Sequence, residues 1–292
     1  MTVFRFVERE KARHPVQTMC RLLGVSASGF WAWRRRGRSP RAQADGELAV
    51  RVRQAHADSR GTYGAPRIHA ELRAAGVRCG RKRVARLMRR DGLVGVHRRR
   101  RVRTTLRDAA ALPAPDLVER RFARDAPDRL WVADITYLPT RAGFCYLAAI
   151  LDAWSRLVVG WALADHPRAT LVSAALAMAL ARRQPAAGLV HHSDHGTQYT
   201  SLAFGRRLAE AGIAASMGSR GDAHDNALAD SFFASLETEL IDRSDWRTSQ
   251  EAGRAVVDYI ESFYNRQRRH SALGYLSPAE FERRYRQEAV TA

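Results

Sequence analysis

Apolar and polar positions divide the chain into two stretches of different rhythm. Over residues 16–91 the apolar side chains recur at helical spacing. Val16 to Leu23 reads as one helix, Gly24 and Val25 as a turn, and Ser26 as the cap of a second helix carrying Phe30, Trp31 and Trp33. That layout fits a helix-turn-helix, and it equally fits an αα-hairpin with Phe30 and Trp33 as its core. Gly37-Arg-Ser-Pro40 reads as a linker. Ile68, Leu72 and Ala75 predict a helix over 67–75, Gly76 and Val77 a turn, and Val84, Leu87 and Met88 a helix over 81–91.

From residue 130 the period shortens. Residues 130–137 are β-branched and aromatic with near alternation, which predicts a strand with Asp134 on the same face as Val132 and Thr136. Two apolar strands follow over 144–151 and 156–163, joined at Asp152-Ala-Trp-Ser155, where Asp152 reads as a turn residue accepting local backbone hydrogen bonds. A helix over 170–182, a short strand over 188–192, a helix over 202–211 and a short strand over 213–217 come next. From Asn226 the residues Ala229, Phe232, Phe233, Leu236 and Leu240 mark an amphipathic helix, with Asp225 or Asn226 as its N-cap. The order βββαβαβα predicts an α/β sheet covered by helices. In the tail, Thr248-Ser-Gln-Glu251 and Ser277-Pro-Ala-Glu280 match capping boxes, and Val256, Ile260, Phe263 and Tyr264 form an apolar stripe between them.

Three acids stand out against this pattern. Asp134 interrupts a strand, where a carboxylate is unfavourable unless something binds it. Asp194 ends a strand, a usual position for ligands in open α/β sheets. Asp230 lies in the first turns of the last core helix, beside its buried face. Two acids from separate strands and one from a helix can converge into the hard-oxygen donor set that a divalent ion requires. His191, His192 and His195 flank Asp194 but lack the second ligand cluster of a zinc site. His192 shares the Asp194 face and is a candidate to touch DNA or to orient the carboxylate.

Charge adds a partner to the picture. The net charge of +19 is confined to the front of the chain: residues 1–112 hold 28 Lys and Arg against 8 Asp and Glu, and the remainder holds 21 against 22. An anionic polymer is the expected partner. Arg81, Lys82, Arg83, Arg86, Arg89 and Arg90 oppose the apolar side of their helix, while Arg98, Arg99, Arg100, Arg101 and Arg103 form a basic arm. Arg266, Arg268, Arg269 and His270 form a third cluster, read either as a DNA contact or as a solvated helix end. Three isolated cysteines form neither a disulfide framework nor a CxxC zinc pattern, and there is no apolar run or leader that would enter a membrane. A cytoplasmic, nucleoid-associated protein is expected. At 292 residues, about two domains are expected as a prior, divided at the Pro-rich stretch Leu112–Asp116.

The text around the acids resembles insertion-sequence transposases of the IS-three type, specifically their downstream-frame product. The resemblance rests on Trp131-Val-Ala-Asp134-Ile-Thr-Tyr137, Leu151-Asp-Ala-Trp-Ser-Arg156, His192-Ser-Asp194 with Gln198-Tyr199, and Asp225-Asn226 with Ser231-Phe-Phe233. It extends to Tyr264-Asn265, His270-Ser271 and Pro278, and so covers nearly the whole chain. In that family 35 residues separate the second and third acids, as they separate Asp194 from Asp230 here.

The resemblance implies a ribonuclease H-like integrase core over 113–243, preceded by an N-terminal helix-turn-helix over 1–40 and a second helix-turn-helix with the basic arm over 41–112. A helical extension over 244–292 follows. It further implies a DDE triad of Asp134, Asp194 and Asp230 as catalytic residues and metal ligands for two Mg²⁺ ions, with Mn²⁺ able to substitute. Asp134 and Asp194 would share one ion and Asp134 and Asp230 hold the other, for in-line attack of water or a 3′-hydroxyl on a phosphodiester. Double-stranded DNA from element ends and target, a homo-oligomer on that DNA, and an upstream-frame protein are the implied partners. The family's third acid is Glu, whereas position 230 is Asp, shorter by one methylene, or roughly 1.5 Å of reach. That departure keeps open a rival reading, a DNA-binding relative impaired in catalysis; a metal nuclease that only hydrolyses is a third, separated from the transposase reading by strand transfer.

Overall fold

The computed structural model describes residues 3–36, 39–97, 116–118, 122, 124–218 and 227–291. Arg98 to Arg101, Arg103, the predicted cap at Asp225 or Asn226 and most of the Pro-rich boundary lie outside the described residues.

Three short helices begin the chain: α1 (Val3–Glu10), α2 (Val16–Leu22) and α3 (Ala27–Arg35). Ser26 caps α3 as predicted, its hydroxyl accepting the Gly29 N–H at 2.9 Å. Val7, Met19, Cys20 and Phe30 close a small core of their own. Phe4 of α1 packs against Phe30 and Trp33 at centroid distances of 6.1 and 5.7 Å, so the predicted helix pair is completed by a third helix.

A second helical unit follows, made of α4 (Pro40–Asp58), α5 (Ala65–Ala74) and α6 (Arg81–Arg90). Ser39 and Pro40 start α4 with a side-chain cap and a proline at the first helical turn. The predicted linker therefore runs directly into a 19-residue helix. Leu48, Val52, Ile68, Leu72, Val84 and Leu87 are buried between the three helices.

The sheet has five strands, β1 (Leu130–Thr140), β2 (Gly143–Asp152), β3 (Val158–Ala164), β4 (Val190–Ser193) and β5 (Ala214–Met217). Their order is β3-β2-β1-β4-β5. The first three are antiparallel neighbours, while β4 runs parallel to β1, and β5 parallel to β4. One face carries Trp131, Ala133, Ile150 and Val159 and is covered by α7 (Ala169–Arg183) and α8 (Leu202–Glu210). Gly160 permits that packing, since a Cβ there would lie 2.3 Å from the Ala175 carbonyl.

The other face carries Leu130, Val132, Leu147, Ala149 and Leu151, buried with α9 (Ala227–Glu239), α10 (Ser249–Val257) and the π-helical turn over Asp258–Tyr264 that continues it. The widened turn departs from the regular helix that the apolar stripe suggests, and it buries Tyr259, Ile260, Phe263 and Tyr264 together. This core runs without a break into the buried residues of α4–α6, so the second helical unit and the sheet share one hydrophobic interior.

Asn265 guards the free edge of the sheet. Its carboxamide accepts the Val158 N–H at 2.9 Å and donates to the Val158 carbonyl at 3.0 Å, replacing a neighbouring strand where the β2–β3 register shifts. The last helix, α11 (Pro278–Thr291), starts from Ser277 and docks through Glu282, whose carboxylate meets Arg183 of α7 at 2.6 Å. Arg183 also holds Asp128 at 2.8 Å, just before β1.

Candidate active site

The alternation of β1 sets Asp134 on the face covered by α9 rather than on the α7 side. Beside it, β4 runs in the same direction with Val132 opposite His192. Two residues further along both chains stand Asp134 and Asp194, the latter one step past the end of β4. Neighbouring strands lie about 4.8 Å apart, so this register brings the two acids to one end of the sheet. Asp230 arrives from above, in the first turn of α9, where unpaired backbone N–H groups favour negative charge.

The electrostatics register the convergence. Burial raises the Asp134 carboxyl well above the ordinary carboxylate range, and the charge of Asp194 and then that of Asp230 push it further, against a hydrogen bond from the Ile135 N–H at 2.7 Å. Burial likewise raises Asp194, opposed by the Gly196 N–H at 3.0 Å and by His195. Asp230 is open to solvent and Asp134 is half-buried, while Asp194 keeps access to solvent although the protein around it desolvates its carboxyl.

At Gly196 a Cβ would sit 3.0 Å from the Asp194 carboxylate and 2.9 Å from the Gln198 carboxamide, so a side chain there would press on both. Among the described residues no three His, Cys, Asp or Glu side chains are packed into a ready-made metal cage. Asp134 and Asp194 instead turn toward neighbouring N–H groups. The donor set still fits a divalent cation: all hard oxygens, whose mutual repulsion a bound cation relieves.

Tyr199 completes the site from beneath. Its ring is buried, its hydroxyl has no hydrogen-bond partner among the described residues, and burial with the charges of Asp134 and Asp194 raises it well above the ordinary phenol range. In the sequence Tyr199 is part of the family-like text after Asp194, and the signal for its role is its position after a strand-ending acid and a Gly turn. His191 is buried against Tyr199 and Phe204 on the α7–α8 side, with burial lowering it to about 4.

His192 does not reach the surface. It is buried, with Nδ1 2.9 Å from the Ser216 hydroxyl and its ring edge-on to Phe122, so its contribution is to the seam between β4 and β5. His195 bonds the Gly218 carbonyl. The three histidines thus diverge instead of forming a zinc set. Asp152 behaves as predicted, buried and accepting from the Ser155 N–H at 2.8 Å and the Asp128 N–H at 2.7 Å.

The cationic face of α6 is only partly open. Arg83 and Arg86 both grip Asp45 of α4 at 2.6 Å, and Arg90 meets Asp91 at 2.8 Å. Asp45 lies 38 residues before Arg83, beyond any local charge pattern. Arg81, Lys82 and Arg89 are exposed on the same helix. In the third cluster Arg266 is exposed, but Arg269 is committed to Glu71 and the Tyr275 carbonyl at 2.8 and 2.7 Å, and Arg268 is buried on Glu239. Burial and the neighbouring Arg268 push His270 down to about 2, so it stays neutral. The cluster is largely structural because its charges are consumed within the fold.

Comparison with known proteins agrees with this organisation. An integrase core domain model matches residues 124–223, a second integrase core domain model matches 211–278, and an HTH-like domain model matches 43–101. The insertion element IS600 uncharacterized 31 kDa protein of Shigella sonnei is 40% identical over 273 residues, covering 93% of this chain and 100% of that protein. Transposase InsF for insertion sequence IS3A of Escherichia coli strain K12 is 39% identical over 280 residues, 95% of this chain and 97% of the relative. The crystal structure of the catalytic core domain of BIV integrase is 16% identical, covers 56% of this chain and 99% of its own, and gives a TM-score of 0.41.

Proposed function

The chain belongs to the insertion-sequence transposases of the IS-three type, and from that premise we propose that Asp134, Asp194 and Asp230 are its catalytic carboxylates. Its function is that of a DNA transposase, a polynucleotidyl transferase. The observation that carries the residue assignment is the placement of Asp134 level with Asp194 on parallel strands below the start of α9, where burial first, and then the charges of Asp194 and Asp230, raise its proton affinity. Three acids that repel one another at the end of a sheet are costly unless a cation or a reaction uses them.

Asp134 and Asp194 would hold one Mg²⁺ and Asp134 and Asp230 a second, with Mn²⁺ as a substitute. When bound, such ions lower the pKa of water and neutralise charge developing on phosphodiester oxygens. The chain's own residues supply the setting. The Gly196 N–H fixes the Asp194 carboxylate and the Ile135 N–H fixes that of Asp134. The buried Tyr199 hydroxyl lies close enough to Asp134 and Asp194 to feel their charge, and the N-terminus of α9 presents Asp230. In-line attack by water, then by a 3′-hydroxyl, needs no covalent enzyme intermediate.

DNA delivery falls to the exposed cations of α6, Arg81, Lys82 and Arg89, with Arg266 beside the core. The basic arm from Arg98 onward is assigned the same task on charge alone. An element has two ends to be joined in one complex, which argues for a multimer on DNA, fused to or working with an upstream-frame protein. Work on chromosomal DNA argues for a cytoplasmic, nucleoid-associated place, and no described helix is long and apolar enough to cross a membrane. Cleavage of labelled element-end DNA tests the reading. Strand nicking that needs Mg²⁺ or Mn²⁺ and stops with chelator supports it, and nicking indifferent to chelator overturns it.

A further inference from the structure

α9 carries a second polar cluster at the end opposite Asp230. Glu239 lies nine positions after Asp230 on the helix, roughly 13 Å along the axis. Glu239 is buried, and both its oxygens are taken: Arg268 donates to Oε2 at 2.8 Å and to Oε1 at 2.7 Å, and the Tyr259 hydroxyl donates to Oε2 at 2.9 Å. The fourth contact comes from another part of the chain. Arg67 of α5 approaches Oε1 at 3.4 Å, with its guanidinium 5.4 Å over the Tyr63 ring.

The same junction is sealed on either side. The Tyr63 hydroxyl accepts the Arg269 N–H at 2.6 Å, Arg269 donates to Glu71 at 2.8 Å, and Arg60 pairs with Asp258 at 2.9 Å. These pairs join residues roughly 170–210 apart in sequence, and they bridge the HTH-like unit to the helices that cover the sheet. One carboxylate serving two guanidiniums in a buried setting is poor stabilisation but a strict geometric constraint: removing Glu239 would strand the buried Arg268, and removing Arg67 would release the α5 side of the contact.

We propose that Arg67, Glu239 and Arg268 are positioning residues that lock the HTH-like unit to α9, so that DNA is cut at a fixed distance from the sequence this unit binds. The inference rests on the transposase reading. It adds that α9 works as a strut, with Asp230 at one end and the grip on Arg67 at the other. Binding and cutting are then held in register by one helix.

The test uses the full chain and two independent readouts. Spin labels on non-natural residues at positions 50 and 202, on the exposed parts of α4 and α8, report the distance between the unit and the core. Cut-site mapping on labelled element-end DNA reports the register. Arg67→Ala and Tyr63→Phe are read separately, so that misfolding of one leaves the other informative.

The parent is expected to give a narrow distance distribution and a single cut position. Each variant should broaden the distribution and spread cleavage over neighbouring phosphodiesters, while end binding changes by no more than about threefold because the cations of α6 are untouched. Arg67→Lys should recover part of the sharpness, as a point charge without the guanidinium fork. Distributions as narrow as the parent's, with the cut unmoved, would overturn the proposal. A parent that is narrow in distance but cleaves nothing would sink the catalytic reading and leave the lock standing.

Discussion

Asp134 and Asp194 lie level with each other across two parallel strands, two residues beyond the Val132–His192 pair. In that position each carboxylate is a cost to the other, and Asp230 adds to the cost at Asp134. Burial is the larger contribution to the raised proton affinity of both strand acids.

Stability without metal should follow from this. Both acids titrate above the unfolded carboxylate value of 3.8, so the folded chain holds their protons longer than the unfolded chain does. The folded state is favoured below 3.8, loses stability as pH rises from there through the raised values, and changes no further above them. Asp134→Asn should therefore melt higher than the parent at neutral pH in chelator, by about 2–4 °C for each kcal/mol of repulsion relieved. Adding Mg²⁺ or Mn²⁺ should raise the parent's Tm in a concentration-dependent way and leave the variant nearly unmoved. Calorimetry across the pH range checks both.

Asp230 is a carboxylate one methylene short of the family's Glu. A misplacement near 1 Å can cost on the order of 100-fold in rate, so Asp230→Glu should raise the single-turnover cleavage rate by up to that factor. Asp230→Asn should abolish cleavage with end binding intact. A slower Asp230→Glu would mean that the site is built around the shorter acid.

On α6 the pairs with Asp45 divide the arginines into two groups. Lys82→Ala and Arg89→Ala should weaken DNA binding across all sequences and lower the salt slope by about 1 each. Arg86→Ala should change the slope less, because Asp45 already offsets its charge at 2.6 Å. Asp45→Asn should tighten non-specific binding. Salt-dependent binding titrations separate these outcomes.

The edge lock at Asn265 should matter to stability alone. Asn265→Ala leaves the Val158 N–H and carbonyl without their partner and should cost about 1–3 kcal/mol in chemical denaturation.

Local pattern carried much of this fold. Alternation placed Asp134 on its strand face, the apolar run to Val190 and His191 gave β4, and the spacing of Phe232, Phe233 and Leu236 gave α9. The carboxylates were legible because an acid in an apolar strand has no cheap structural use. What escaped is what depends on distant partners. Nothing near Arg83 announces Asp45, nothing near Arg269 announces Glu71, and α4 hides behind a Pro-containing linker. The merged core of the helical unit and the sheet is likewise invisible to periodicity, which marks a buried face but not what buries it. His192 was placed on the correct strand, yet a two-residue period cannot say that Phe122 and Ser216 cover it.

Strand transfer of labelled element-end DNA in Mg²⁺ or Mn²⁺ decides whether the three aspartates drive both cleavage and joining. The unmodified chain should cleave the end and join it to target DNA, while Asp134→Asn and Asp194→Asn should bind the end normally and yield neither product. Cleavage and joining that survive in Asp134→Asn would contradict the account.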